Sequence, residues 1–128
     1  MARTVIHSDD APKAIGPYSQ AIQVDAGKVT FLSGQIPLDP KSGQVVEGDV
    51  VAQTERVMEN LKAVLAAAGQ DFTHVVRCGI FLSDMADFAK VNEVYGRYFS
   101  ANPPARATVQ VAVLPRNVKV EIDAIAAS

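Results

Sequence analysis

PARATVQVAVLPRNVKVEIDAIA, residues 104–126, is the stretch that decides the fold. Apolar and polar residues alternate over 108–114 and again over 118–126, a pattern that predicts two half-buried β-strands. The short Pro-Arg-Asn turn between them favours a hairpin. Alternation places two sets of side chains of the second strand on opposite faces: Val118, Val120, Ile122 and Ala124 on one, and Lys119, Glu121, Asp123 and Ile125 on the other.

The segment before residue 50 also contains strand signals. Two short apolar runs, 21–24 and 29–33, lie on either side of a DAGK turn and predict another hairpin. The following segment, 34–48, contains Pro and Gly residues that no helix would tolerate. A loop of this length in a small domain is often functional.

Two helices and one strand are predicted between residues 49 and 104. Apolar residues at 3.6-residue spacing predict a first helix, with Asp49 as its N-cap and Gly69 just beyond its C-terminal end. The β-rich segment 74–82 predicts a strand. Asp84 is the predicted cap of a second amphipathic helix, which ends at Asn102-Pro103-Pro104.

The predicted element order is ββαβαββ, which indicates an α+β fold. Residues 1–128 are expected to form a single domain, because a chain of this length rarely divides into two. Each amphipathic helix needs an apolar surface, so the simplest arrangement is one mixed sheet with both helices on one face. The other sheet face is then uncovered, and its mixed apolar and charged character makes it a candidate for self-association.

Bulk properties exclude several classes of function. A formal net charge of −2, with scattered Lys and Arg, argues against a nucleic-acid partner, whose phosphates demand a basic surface. The chain contains no signal-peptide pattern and no apolar run long enough for a membrane span, so we expect a cytoplasmic protein with no membrane partner. The single cysteine excludes an intrachain disulfide.

Most familiar catalytic sites are also unsupported. His7 and His74 are the only histidines, and with Cys78 they do not match the ligand spacing of a zinc site, so no metal is expected. Cys78 falls in the middle of a strand and is predicted to be a buried, inert thiol. Neither a phosphate-binding loop nor a dinucleotide fingerprint is present, so no cofactor is expected.

Arg106 and Glu121 remain as candidates for chemistry. If the first strand of the predicted hairpin extends back as far as residue 106, the side chains of Arg106 and Thr108 point to the same face. With an even-length turn in the predicted hairpin Glu121 points to the same face, whereas an odd turn or a bulge would reverse it. The two side chains would still be about 13 Å apart along the hairpin, at about 3.3 Å per residue. Each could be a solvated surface charge, but an uncovered face that becomes an interface would desolvate both.

Three separated motifs resemble those of the RidA/YjgF family of reactive-intermediate deaminases. They are AIGPYSQA at 14–21, FLSGQIP at 31–37, and PARATVQVAVL followed by VKVEI over 104–122. This resemblance implies a chorismate-mutase-like fold and a homotrimer with a site in each cleft between subunits. The implied activity is hydrolysis of 2-imino and 2-enamino acids, such as 2-iminobutanoate and 2-iminopropanoate, to 2-oxo acids and ammonia without a cofactor.

The resemblance also implies roles for individual residues. Arg106 falls on the carboxylate-binding arginine of the family, and Glu121 on the glutamate associated with the attacking water. The substrate-binding positions are Tyr18, Ser33, Gly34, Asn92 and Thr108. Some family members have cysteine where this chain has Thr108, a departure that argues against a thiol-based role at that position.

Two other functions remain open at this stage. The arginine cleft could bind 2-oxo acids without turning them over, as a regulatory module. The family is also associated with RNA cleavage and translation inhibition, against which the negative charge and the lack of a histidine in the proposed cleft both argue.

Overall fold

The computed structural model describes residues 3–99 and 101–128. Within them lie six strands and two α-helices. In chain order they are β1 (Arg3–Ile6), β2 (Ala21–Val24), β3 (Val29–Gln35), α1 (Val50–Ala67), β4 (Val75–Leu82), α2 (Phe88–Tyr98), β5 (Ala105–Gln110) and β6 (Val120–Ala127). Short 3₁₀ turns precede β4, α2 and β6.

A four-stranded mixed sheet in the order β3-β6-β4-β5 forms the centre of the fold. β4 and β5 run parallel, which requires the crossover that α2 provides between them. β6 lies between β3 and β4 and is antiparallel to both. The α+β class with two helices on a mixed sheet is therefore confirmed.

Both predicted hairpins are wrong. β2 pairs with β1, a strand over Arg3–Ile6 that the sequence did not reveal, in a separate two-stranded ribbon. β5 does not pair with β6, because β4 lies between them. Strands that follow one another in the sequence are often neighbours in the sheet. The alternation of apolar and polar residues, however, shows only which face of a strand is apolar, and it does not identify the strand that pairs with it.

One face of the sheet and both helices enclose the core. The buried residues of β6 alternate as predicted, and Val120 and Ile122 are fully buried. α1 contributes Leu61 and Leu65, and α2 contributes Val91 and Tyr95, to the same core cluster. The helical spacing in the sequence therefore identified the inward faces correctly.

The predicted helix boundaries are largely confirmed. The Asp49 carboxylate accepts a hydrogen bond from the Ala52 N–H and caps α1. Gly69 follows the C-cap with φ +71°, a left-handed conformation that glycine adopts without steric cost. Asp84 caps the 3₁₀ turn Met85–Asp87, which leads directly into α2.

The opposite face of the four-stranded sheet, which we call the open face, has no helix against it. Phe31 from β3 is 76% exposed there, and Val109 from β5 is 44% exposed. Phe81 and Ile125 on the two central strands are only partly buried. Phe31 lies beside Ile125 and Phe81 lies beside Val109, so the open face presents two pairs of apolar side chains. Exposed apolar side chains of this kind are typical of a surface that another protein chain covers.

Candidate active site

Arg106 lies at the beginning of the edge strand β5, on the side of the sheet that the helices cover. Its strand neighbour is Cys78, which is 1% exposed and belongs to the core, so the two side chains point to the same face. The preceding segment is fixed by Ser19, whose N–H donates to Pro104 O and whose hydroxyl donates to Pro103 O. These bonds hold the loop that contains Tyr18 against the start of β5.

Three aromatic rings surround the Arg106 guanidinium. Its Cζ atom lies 5.4 Å from the ring centroid of Tyr18, 5.6 Å from that of Phe88 and 5.3 Å from that of Tyr95. These distances are within the range of cation–π attraction. Burial among the rings lowers the pKa of Arg106 from its usual value, although a guanidinium remains protonated in proteins.

The Arg106 guanidinium has no acidic partner within residues 3–99 and 101–128. Its one hydrogen bond there is donated by Nη1 to Asn92 Oδ1, at 2.6 Å. Since a guanidinium has five N–H donors, most of its hydrogen-bonding capacity is directed elsewhere. A desolvated cation with free donors is a favourable site for a ligand carboxylate.

A cleft of about 300 Å³ opens in front of this guanidinium. We call it the arginine cleft, and it is lined by Tyr18, Phe88, Arg106 and Thr108. Thr108 is two residues after Arg106 and pairs with core residue Ile80, so it shares the same face, as predicted. Its Oγ1 atom is buried without a hydrogen-bond partner in the described part of the chain.

Glu121, Gly34 and Ser33 form a second group, which we call the carboxylate shelf. Between the pairs Leu32–Ala124 and Gln35–Ile122, two residues of β3 face one residue of β6, which makes a β-bulge. A Cβ atom built on Gly34 would lie 2.1 Å from Glu121 Oε2. The Glu121 carboxylate therefore occupies the space that glycine leaves free, and Ser33 is exposed beside it.

The arginine cleft and the carboxylate shelf lie on opposite faces of the sheet. Glu121 pairs with Phe81 on the open face, whereas Arg106 pairs with Cys78 on the helix face. Of the two orientations left open for Glu121, the structure shows the one opposite to Arg106, and it arises because β4 separates β5 from β6 rather than from the length of a hairpin turn. Two strand spacings and three residues along β6 place their Cα atoms about 14 Å apart.

The sequence did not identify Phe88 and Tyr95 as residues of this site. Together with Asn92 they occupy positions i, i+4 and i+7 of α2, so they form one stripe on the helix. That spacing is the signal that could have found them, but apolar residues at helical spacing are equally typical of core packing. Here Tyr95 does both, since it is fully buried and also contacts Arg106.

Other candidate groups lie away from the cleft. His7 contacts Asp9 at the surface, and His74 accepts a hydrogen bond from the Asp71 N–H in a capping box. Cys78 is buried as predicted, and burial raises the pKa of its thiol to about 12. Within the two described ranges no three metal-ligating side chains cluster, and no helix there is long and apolar enough to cross a membrane.

Known proteins resemble the chain over almost its whole length. A family model described as Endoribonuclease L-PSP matches residues 8–128. Protein DfrA of Myxococcus xanthus is 78% identical over 128 residues, which cover 100% of this chain and 98% of that protein. The 2-iminobutanoate/2-iminopropanoate deaminase of Mus musculus is 53% identical over 124 residues, with 97% and 90% covered.

A solved structure agrees with these sequence relatives. The crystal structure of RidA from an Antarctic Psychrobacter species matches with a TM-score of 0.77 at 44% identity, over 98% of this chain and 99% of that one. The motifs at 14–21, 31–37 and 104–122 thus led to the right family. This chain belongs to the Endoribonuclease L-PSP family, also called RidA/YjgF.

Proposed function

We propose that this protein hydrolyses small 2-imino and 2-enamino acids, such as 2-iminobutanoate and 2-iminopropanoate, to 2-oxo acids and ammonia. The observation that carries the proposal is the Arg106 guanidinium, half-buried among three rings with a single hydrogen bond and no acidic partner in the described chain. The mouse relative, named 2-iminobutanoate/2-iminopropanoate deaminase, supports the same chemistry.

The carboxylate of an imino acid is the natural partner of this guanidinium. Two parallel N–H···O bonds fix a planar carboxylate in position and in orientation. The desolvated setting strengthens this attraction, because water competes less for either charge. The cleft of about 300 Å³ is suited to a short aliphatic side chain, with the rings of Tyr18 and Phe88 as apolar walls.

The reaction needs a water molecule beside the imine carbon. Glu121 accepts a proton from this water as its oxygen bonds to the carbon of the protonated C=N group, which gives a neutral carbinolamine. Glu121 then returns that proton to the nitrogen, the C–N bond breaks and ammonia leaves, while the carbinolamine hydroxyl gives its proton back to Glu121 as the C=O bond of the 2-oxo acid forms. Orientation by Arg106 makes the attack effectively intramolecular, which favours an already reactive substrate.

Because Glu121 and Arg106 of one chain lie on opposite faces, a second copy must bring them together. We propose a homotrimer in which the arginine cleft of one subunit meets the carboxylate shelf of the next. The exposed apolar side chains of the open face, Phe31 above all, support this association, since burying them excludes water from the site.

The proposed substrates are intermediates released by enzymes that eliminate from serine or threonine. Imines and enamines of this kind react with cellular nucleophiles, so we assign the protein a cytoplasmic role in metabolite damage control. Neither step of the proposed mechanism calls on a cofactor.

A coupled assay tests the proposal. A pyridoxal-phosphate-dependent threonine or serine dehydratase generates the imine, and the release of 2-oxo acid is followed with catalytic amounts of this protein. Arg106→Ala should reduce the acceleration to the uncatalysed rate. Arg97→Ala is the matched control, because Arg97 forms only surface ion pairs with Glu55 and Glu93. Equal activity of the wild type and Arg106→Ala would refute the role of Arg106 as a carboxylate clamp, the group that binds and orients the substrate carboxylate.

RNA cleavage is a second candidate, and the description of the family model favours it. Both histidines lie outside the arginine cleft, so a histidine-based mechanism has no group there. Incubation of the wild type and Arg106→Ala with a structured RNA decides between the functions. Stoichiometric binding of 2-oxo acids with no turnover of imines would instead assign the protein as a binding module.

A further inference from the structure

Tyr95 is a large polar side chain in the centre of the molecule that the proposed reaction does not use. It is 0% exposed, and its ring centroid lies 5.3 Å from Arg106 Cζ. Of the three rings around the guanidinium it is the most deeply buried, since Tyr18 and Phe88 line the open cleft whereas Tyr95 does not. Tyr95 therefore forms the floor beneath the guanidinium.

The hydroxyl of Tyr95 has no clear function of its own. It has no nitrogen or oxygen hydrogen-bond partner within residues 3–99 and 101–128, and the Cys78 thiol lies beside it. Burial raises the pKa of Tyr95, and the neighbouring thiol of Cys78 raises it further, so the phenol remains neutral. The Cys78 thiol is a weak hydrogen-bonding group. What Tyr95 offers to Arg106 is consequently its ring face.

Apart from the three rings, of which Tyr95 is the most buried, Arg106 has few restraints on its depth and tilt. Asn92 accepts from one terminal nitrogen, and no carboxylate in the described chain holds the other. A flat aromatic surface restricts a guanidinium to a stacked or inclined arrangement through cation–π attraction, which is strongest where water is excluded. Cys78, the strand neighbour of Arg106, fills the space beside the ring and keeps water out.

We propose that Tyr95 is a positioning residue whose ring sets the depth and plane of the Arg106 guanidinium, with no contribution from its hydroxyl. This inference rests on the proposed function, because its consequence is a correctly presented carboxylate clamp. The clamp binds the carboxylate in both ground state and transition state, so loss of the ring should raise KM far more than it lowers kcat.

Three variants test this assignment in the dehydratase-coupled assay. Tyr95→Phe retains the ring, and its KM should match that of the wild type. Tyr95→Leu removes the ring, and its KM should rise about tenfold, as expected when a desolvated cation–π contact is lost, while kcat changes little. Phe99→Leu is the control, because the Phe99 ring packs against Tyr95 at 4.7 Å and has no cation–π contact with Arg106.

Each kinetic outcome decides the proposal. If a folded Tyr95→Leu variant keeps the wild-type KM, or loses no more affinity than Phe99→Leu, the ring does not position the clamp. If Tyr95→Phe is as impaired as Tyr95→Leu, the hydroxyl is required and the assignment is wrong. Thermal unfolding of all three variants shows which of them are folded.

A measurement on the ligand-free protein separates this inference from the proposed function. The Arg106 Nε–H resonance, assigned by its loss in Arg106→Lys, should be a single sharp signal displaced from the random-coil position by ring currents. In Tyr95→Phe it should keep its shift. An averaged, random-coil signal in the wild type would overturn the positioning role even if Tyr95→Leu fails to fold. Absence of imine turnover with a displaced signal would refute only the proposed function.

Discussion

The arginine cleft and the carboxylate shelf are built on the same sheet but in opposite ways. Around Arg106, side chains of its own chain provide three rings and an amide acceptor. Around Glu121, the chain provides mainly a gap, left by Gly34 at a β-bulge on the open face. The first group therefore has most of its surroundings from its own chain, whereas the second lies on a face that neither helix covers.

For the proposed reaction, this difference divides the carboxylate-binding cation and the base that activates water between the two faces of one small sheet. A single chain cannot place a cation and a base on opposite faces within reach of one substrate. In the proposed homotrimer, each interface would join the helix-face group of one copy to the open-face group of another.

The largest expected effect on activity comes from removing Arg106 in one chain and Glu121 in another, and then mixing the two chains. Arg106→Ala and Glu121→Gln should each lower kcat/KM at least about a hundredfold, because each removes one half of the site. Co-expression of the two variants should restore activity to about one quarter of the wild-type value, since half of the interfaces have an intact arginine and half of those an intact glutamate. The coupled assay measures the recovery.

The double variant Arg106→Ala/Glu121→Gln co-expressed with wild-type chains provides the control for chain exchange. No recovery in the mixture of single variants, despite demonstrated mixed oligomers, would mean that both residues act from one chain. A monomer by light scattering would contradict the trimer itself.

A substitution at Gly34 examines the shelf alone. Gly34→Ala should lower kcat about tenfold or more, because the new methyl group would lie 2.1 Å from Glu121 Oε2 and must displace the carboxylate. The fold should persist, since a flexible side-chain end can move. Turnover and thermal unfolding, measured on the same preparation, check both statements.

Gly96→Ala is the matched control for that substitution. Gly96 lies inside α2, and a Cβ atom there would lie 3.6 Å from Pro17 Cβ, an ordinary van der Waals distance. Activity should remain, and stability should increase by about 0.5–1 kcal/mol, as expected for Gly to Ala inside a helix. Equal loss of activity in Gly34→Ala and Gly96→Ala would show that the carboxylate shelf has no specific role in turnover.

A substitution at Asn92 examines the cleft alone. Asn92→Asp places a carboxylate where Oδ1 lies 2.6 Å from Arg106 Nη1. This internal anion should compete with the substrate for the guanidinium and raise KM about tenfold, with a smaller effect on kcat. Asn60→Asp is the control, because Asn60 Oδ1 accepts from Arg56 Nε at 3.0 Å in the same way outside the cleft. An unchanged KM in Asn92→Asp would show that the donors of Arg106 do not bind the substrate.

The smallest expected effect concerns Cys78, the buried strand neighbour of Arg106. Burial raises the pKa of Cys78 from 9.0 to about 12, so the folded state favours the neutral thiol. The resulting stabilisation is present below pH 9 and is lost as the pH rises from 9 towards 12. Urea unfolding at pH 8 and pH 10.5 should show a steeper loss of stability in the wild type than in Cys78→Ala. Identical pH dependence would mean that water reaches this thiol, and rapid alkylation of the folded protein would lead to the same conclusion.

Local signals in the sequence predicted much of the fold. The Asp49 cap and the Gly69 terminus depend on residues within one or two turns, so they could be located without tertiary information. Strand β1 was not predicted because it has only four residues, three of them exposed, and so shows no alternation of buried and exposed positions. Both hairpins were wrong because pairing depends on hydrogen bonds between strands distant in sequence.

The same limit applies to the candidate site. Arg106 was distinguishable as a charge at the beginning of an apolar strand, and the three motifs contain Glu121 and every other predicted residue except Asn92, which lies on the second helix. Phe88 and Tyr95 did not stand out, since an aromatic residue on the inner face of a helix has the same spacing whether it packs in the core or supports a cation.

By itself, the sequence predicted both helices, five of the six strands, the apolar side of β6, and the family to which the chain belongs. It could do so because these properties depend on local periodicity and on short motifs. Only the tertiary structure decided that β6 lies between β3 and β4, and that Arg106 and Glu121 therefore face opposite ways. Side-chain alternation fixes a face only relative to the strand itself, whereas the order of strands in the sheet is set by long-range pairing.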